Sequence, residues 1–582
     1  MRRVLVLSAI LAAASVAAAQ EPAAPKVNYV LDATDTKSGS SVEMTIQNLP
    51  LDEVTVAIPV WRPGSYRLQN YPDRVKDVTA TAGGAKLEIE ALDRKTWKIK
   101  GVGKREVKVA YRLTPPKQDC SADHYFIEGP GTYLYVVDNK HAACTVRFKL
   151  PGGWKAGGGL SDLGDGVFGA RDYDTFADCP TELGKFELHE FKVDGVLYQF
   201  VVHTPGKWDH EPLIAATKKF AREQARIFGD VPFDRYVFLY HWREQGFGGG
   251  GLEHLNSTDI SMPYRLMQQD GTIAASIASH EFFHLWNVKR IRPFELGPFD
   301  YSQPVRSKAL WMCEGVTSYY GDLTLARSGV WSESRYFDHL GQQIGQLQNN
   351  PRRTKDSVET MSLGPWDNKP LDYYNKGELL GWLIDMKIRV ATSGAKGMDD
   401  VMRLLYERYV TGPAKAGKGP IGVGYPEDGI LKALNEVSRQ DFGEFYAKYI
   451  SGVEELPYKE LGDAFGLSVE VRRGTGLASR IAGNRVENVP SGGDDEKAGL
   501  KPGDRIVQVE GKDVDRNSVR TEIGKLKAGE PAVFKVDRGG ETIELTLTPV
   551  AAGLASGRVT RKPDATDAQK KMVDAWLPKK SY

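Results

Sequence analysis

Residues 276–287, Ser-Ile-Ala-Ser-His-Glu-Phe-Phe-His-Leu-Trp-Asn, leave this chain few choices. Their surroundings predict one buried amphipathic helix. Ile273, Ile277 and Phe283 are apolar, Ala274, Ala275 and Ala278 are small, and Asp270 or Thr272 stands where it can cap the start. Residues four apart share a helix face, so His280 and His284 point the same way. Two neutral imidazoles at that spacing can hold one zinc ion, and Glu281, one step round, can reach a water on it as general base. The plainer alternative is two histidines and a glutamate on a polar helix face. Among Ala, Ile and Phe, three unpaired polar groups are costly to bury, which favours the metal.

A catalytic zinc needs a third protein ligand and one position left for water. Thirty residues beyond His284 comes Trp311-Met-Cys-Glu314-Gly-Val-Thr317, on a helix expected over 307–327. Glu314 sits there among aromatic and small residues, where a carboxylate needs a partner. Two histidines from one helix and a glutamate from the next make a His₂Glu set, the chemistry of peptide or amide hydrolysis. Gly249, Gly250 and Gly251 bare a backbone stretch that a ligand can approach closely, and Glu253 follows. A carboxylate beside a zinc site can pair with the free α-ammonium of a peptide. Taken alone, the segment also reads as a flexible glycine loop with a surface charge, and His254 as an ordinary structural histidine. Tyr374, opening a helix at Tyr373-Tyr374-Asn-Lys-Gly377, can donate to an oxyanion if it lies near the metal, although exposed tyrosines are common.

Around this centre the chain reads as a multidomain α+β protein. From 27 to 200 apolar residues alternate with polar ones in short runs such as Val42-Glu-Met-Thr-Ile46 and Val107-Lys-Val-Ala-Tyr111, which predicts an antiparallel β-sandwich-like domain. Residues 59–66, Pro-Val-Trp-Arg-Pro-Gly-Ser-Tyr, interrupt it as a packed aromatic corner, with shaping of a substrate cleft as a secondary role. Helical periodicity dominates 201–458, the expected catalytic domain, with helices over 213–228, 374–390 and 398–409. Strands and turns return over 460–550, and 551–582 forms a polar tail whose short helix can dock through Trp576. Residues 1–19 have a basic start, an apolar run and Ala17-Ala18-Ala19 before Gln20, the layout of a cleaved export signal. No later stretch is apolar enough to span a bilayer, so a secreted, periplasmic location is expected. The 582 residues carry a formal net charge of +1, which favours neither nucleic acid nor an anionic membrane. Export permits disulfides. A bridge among Cys120, Cys144 and Cys179 is therefore open, while Cys313, beside Glu314, reads as a free buried thiol.

The order GGGLEH, HEFFHLWNVKRIRP, LWMCEGVTSYY, YYNKG resembles the glycyl aminopeptidase family of zinc peptidases, related to the aminopeptidase N group. Downstream, AGLKPGDRIVQVEG at 498–511 resembles the core of PDZ domains, modules that bind an extended C-terminal peptide as an added strand. Residues 464–467 stand where such a module keeps its carboxylate loop. The resemblance implies a mainly helical, thermolysin-like peptidase domain with one zinc per chain on His280, His284 and Glu314 and Glu281 as base. It also implies an amine anchor made of Glu253 and the Gly249, Gly250 and Gly251 backbone, and Tyr374 as oxyanion donor. Its substrates would be peptides with a free N-terminal Gly or Ala. Leu252-Glu253-His254 departs from the wider group's M-E-N, so position 254 carries no transferred role. The competing expectations are an endopeptidase guided by the PDZ-like domain and a catalytically silent PDZ scaffold.

Overall fold

The computed structural model describes residues 24–116, 120–246, 248–416, 421–551 and 555–578, so the expected export signal lies outside them. The N-terminal region is a β-sandwich. An eight-stranded sheet faces a four-stranded one, and Tyr29, Leu31 and Val109 of the first meet Val56 and Ile99 of the second in a common core. The alternation read from the sequence is what buries one face: in Ser40–Gln47 every second residue is buried. The sheet is mixed rather than purely antiparallel, because Lys26–Asp32 runs parallel to Ala143–Lys149 while pairing antiparallel with Ser40–Gln47. A parallel neighbour needs a long crossover, and no local pattern announces it.

The middle region adds a five-stranded sheet that the expected "mainly helical" domain understates. Its strands are β1 (Glu187–Val193), β2 (Val196–His203), β3 (Arg235–Arg243), β4 (Gly250–Glu253) and β5 (Ser257–Pro263), in spatial order β1-β2-β3-β5-β4. Helix α1 (Glu211–Phe228) makes the crossover between the parallel strands β2 and β3. Since β1 and β2 belong to this sheet, the boundary expected at 200 falls between Gly184 and Glu187. Four helices matter for the site and its supports: α2 (Ala275–Phe283), α3 (Val316–Arg327), α4 (Glu333–Asn349) and α5 (Tyr373–Ala391). Helix α2 starts later than the sequence suggests. The Asp270 carboxylate accepts from the Thr272 N–H and hydroxyl at 2.8 and 2.7 Å, closing a separate turn ahead of the helix.

At the C-terminal end, β6 (Leu467–Arg473) and β7 (Ala555–Arg561) pair with each other in a two-stranded sheet, and β7 lies along α4. A separate PDZ-like sheet, Arg480 to Leu547, is carried between them. Residues 464–467, expected as the carboxylate loop, are instead tied into the core of the middle region. Phe465 and Leu467 are fully buried, and Gly466 backs onto Gln569 of helix α6 (Asp567–Trp576). Docking of the tail through Trp576 is as expected: its ring is fully buried and its Nε1–H donates to Tyr319 Oη at 2.9 Å. All four cysteines are unpaired, which removes the bridge left open among Cys120, Cys144 and Cys179. Among the described residues no helix is long and apolar enough to cross a membrane.

Candidate metal centre

Helix α2 presents His280 on its last turn and leaves His284 at its C-terminal cap. Each ring is aimed by its second nitrogen. His284 Nδ1–H donates to the Asn287 carbonyl at 2.8 Å. The Ser318 hydroxyl donates to the Glu314 carbonyl at 3.0 Å, so it accepts from His280 Nδ1–H at 3.3 Å. Both Nε2 lone pairs therefore point inward, and they lie 3.0 Å apart. Glu314 comes from a π-helical turn, Trp311–Gly315, that leads into α3. Its Oε2 lies 3.2 Å from His284 Nε2 and 3.7 Å from His280 Nε2. The Asn287 amide holds this turn against the end of α2, donating to the Met312 carbonyl at 2.8 Å.

Two lone pairs and a carboxylate converging in this way repel one another unless a cation lies between them. Donors bound about 2.1 Å from one tetrahedral ion stand about 3.4 Å apart, which is the spacing found here. The residues therefore fit a zinc ion. The electrostatics agree. Burial works against a charge on His284, yet the Glu314 carboxylate outweighs it and holds the imidazole up at about 9, while the two histidines keep Glu314 well below the usual carboxylate range.

Glu281 is 6% exposed, and its Oε2 has no hydrogen-bond partner. Burial, reinforced by the Glu253 and Glu314 charges, pushes its carboxyl well above the ordinary range. The glycine segment lies against it. A Cβ on Gly251 would stand 2.5 Å from Glu281 Oε1, and one on Gly249 would strike Met262 Sδ, whereas Gly250 has open space. The segment ends in β4, at the sheet edge and paired with β5, rather than in a loose loop. Glu253 is 3% exposed, and ligand-type atoms of Glu253, Glu281 and His284 all lie within 4.8 Å of one another. Tyr374, half-buried at the start of α5, has its ring centroid 6.2 Å from that of His280, and burial followed by the Glu314 charge raises its hydroxyl.

All nine candidate side chains and backbones thus border one region. Three further features surround it, and of these the Lys289–Asp178 pair has no local sequence signal. Lys289 Nζ, buried, is 2.9 Å from Asp178 Oδ1 and 4.0 Å from Glu253 Oε1. His254 is structural, held between Asp178 at 3.2 Å and Asp259 at 3.4 Å. The 59–66 corner of the N-terminal domain sits on Glu253: Gly64 has φ +83°, and a Cβ there would meet the two Glu253 carboxylate oxygens at 2.5 and 2.8 Å.

Residues 274–380 match the family model for the M61 glycyl aminopeptidase, residues 28–185 the peptidase M61 N-terminal domain, and residues 464–548 the PDZ domain. The structure of an aminopeptidase N family protein from Idiomarina loihiensis shares the fold with a TM-score of 0.75, over 95% of this chain and 100% of that one, at 23% identity. An M1 zinc metallopeptidase from Deinococcus radiodurans gives a TM-score of 0.46, over 72% of this chain and 93% of that one, at 12% identity. Among curated sequences, protease RseP of Photorhabdus luminescens is 38% identical over 73 residues, 12% of this chain and 32% of that protein. The chain spans a third or less of the length of the curated relatives it matches.

Proposed function

We propose, starting from the M61 glycyl aminopeptidase and M61 N-terminal domains that this chain carries together with a PDZ domain, that it is an exported zinc aminopeptidase removing a small first residue, Gly or Ala, from peptides. The observation that carries this reading is the convergence of His280, His284 and Glu314 with two more buried carboxylates, Glu281 and Glu253, at their side. A zinc ion held by the first three would supply Lewis acidity toward the scissile carbonyl and the attacking water.

The chain's own groups do the rest. Glu281 Oε2, free of other partners, takes the proton of the attacking water and returns it to the leaving amine. Glu253 pairs with the α-ammonium of the substrate and so sets the distance from the chain's first nitrogen to the bond that breaks. The edge of β4, bare of side chains at Gly250 and Gly251, is available to an extended peptide backbone. The Tyr374 hydroxyl, kept protonated, donates to the oxygen that gains charge.

The decisive experiment compares free and N-acetylated forms of one Gly-first peptide and counts metal in the same preparation. The expected result is one zinc per chain and cleavage of the free form alone. Equal cleavage of both forms would replace this reading with an endopeptidase guided by the PDZ domain, and protein free of zinc would leave a scaffold.

A further inference from the structure

If Glu253 holds the amine of a substrate and the three ligands lie at its first carbonyl, the first side chain must project between them. The structure has room nearby. A cavity of about 260 Å³ with mainly apolar walls adjoins Glu253 where the N-terminal and middle domains meet, lined by Trp61, Tyr66 and Phe299 and also by the charged Asp178, Glu253 and Lys289. A dry apolar cavity of about 150 Å³ is enough for benzene, so this one has room for a leucine or phenylalanine side chain. Its described lining includes Tyr66 and Glu253 but none of His280, His284 and Glu314.

Tyr66 is the aromatic residue that shares this lining with Glu253. It lines the cavity, is 8% exposed, and packs in the same core as the middle domain's helices. Like Glu253, which borders the metal centre, it faces the cavity, and its hydroxyl is raised first by burial and then by the charges of Glu314, Cys313 and Glu253. The ring is fixed in place. Trp366 meets it edge-on at 6.4 Å and meets Trp61 at 5.5 Å. Two residues earlier, Gly64 is seated directly on the Glu253 carboxylate in a backbone conformation that a side chain would strain.

We propose that Tyr66 determines first-residue specificity: its ring walls the cavity off from the metal centre, so that glycine and alanine fit while larger apolar side chains find the adjoining volume closed. The inference rests on the aminopeptidase reading above and adds to it the side chain that narrows the first pocket.

The test measures kcat/KM for Gly-, Ala-, Leu- and Phe-anilides with the full chain and with Tyr66→Ala, Tyr66→Val and Tyr66→Phe. The wild type is expected to favour Gly over Leu by about 100-fold, within the range a tight apolar pocket achieves. Tyr66→Ala and Tyr66→Val should lower that ratio at least tenfold, through a rise in kcat/KM for Leu and Phe, while Tyr66→Phe keeps the wild-type ratio. A wild type that takes Leu as readily as Gly overturns the proposal, as does a ratio unmoved in both small variants. Total loss of turnover in folded, zinc-loaded small variants also overturns it, since Tyr66 would then act in the chemistry. A wild type that cleaves none of the free-amine substrates fails at the earlier step, the aminopeptidase reading itself.

Discussion

At the scale of single residues, the site is a matter of which lone pairs and protons are left over. Glu281→Gln keeps the size of the side chain and removes its basicity. Zinc content should stay at one per chain while kcat falls by about 10²–10⁴, the usual worth of a positioned base; retained turnover would reassign the base. Gly251→Ala should lower kcat with little change in melting temperature, because its new methyl occupies the space of the Glu281 carboxylate. The proton on His284 gives a pH signature. With the imidazole held at about 9, the metal-free site carries that proton at neutral pH, and metal must displace it. Zinc affinity should therefore drop about tenfold per pH unit below 9, with one proton released from His284 per ion bound, readable by calorimetry in buffers of different ionisation enthalpy. His280, His284, Glu281 and Glu314 were legible because helical spacing places them by local rules. Asp178 and Tyr66 were not, since they meet the site only through contacts more than 70 residues apart in sequence, where periodicity carries no information.

At the scale of elements, the centre depends on how closely three helices approach. Gly321 of α3 packs against the His280 backbone, where a Cβ would lie 3.0 Å from its Cα. Gly315 and Gly377 meet with only 2.4 Å between a Cβ on the first and the Cα of the second, bringing the π-helical turn onto α5. Gly377→Ala should cost about 1–3 kcal/mol by overpacking and weaken zinc retention as well, because Glu314 rides on that turn; chemical denaturation with a parallel metal assay would show both. The sequence announces the helices but not their ends or irregularities. Asp270 caps a separate turn, and the extra residue of the π turn is invisible to a 3.6-residue pattern. The glycine run looked like a loop because its pairing partner, β5, supplies the order that its own residues do not.

At the scale of the whole molecule, a buried carboxylate ties the N-terminal domain to the middle one. Glu182 lies between His124 of its own sheet and His241 of β3, accepting from each. Burial alone would raise its pKa, but those two hydrogen bonds lower it to about 2 from 4.5. The sign follows: the stabilisation, about 3 kcal/mol, is present above pH 4.5 and is lost as pH falls from there towards 2. Glu182→Gln should therefore melt well below the wild type at pH 7, with the gap closing at pH 2–3. Domain order was readable from the alternation of strand-rich and helix-rich stretches. The fate of the C-terminal strands was not, because β6 looks like the first strand of the PDZ-like unit and only its partner β7 shows otherwise.

That pairing has a practical reach. Arg473 and Ala555 face each other across the two strands, so everything from 474 to 554 is, topologically, a hairpin loop that has grown into a domain. Such a loop can be cut back to its stem. Joining the strand ends through a two-residue Asn-Gly turn would take out the PDZ domain as a cassette and leave the peptidase a continuous chain, with Trp576 still seated against Tyr319.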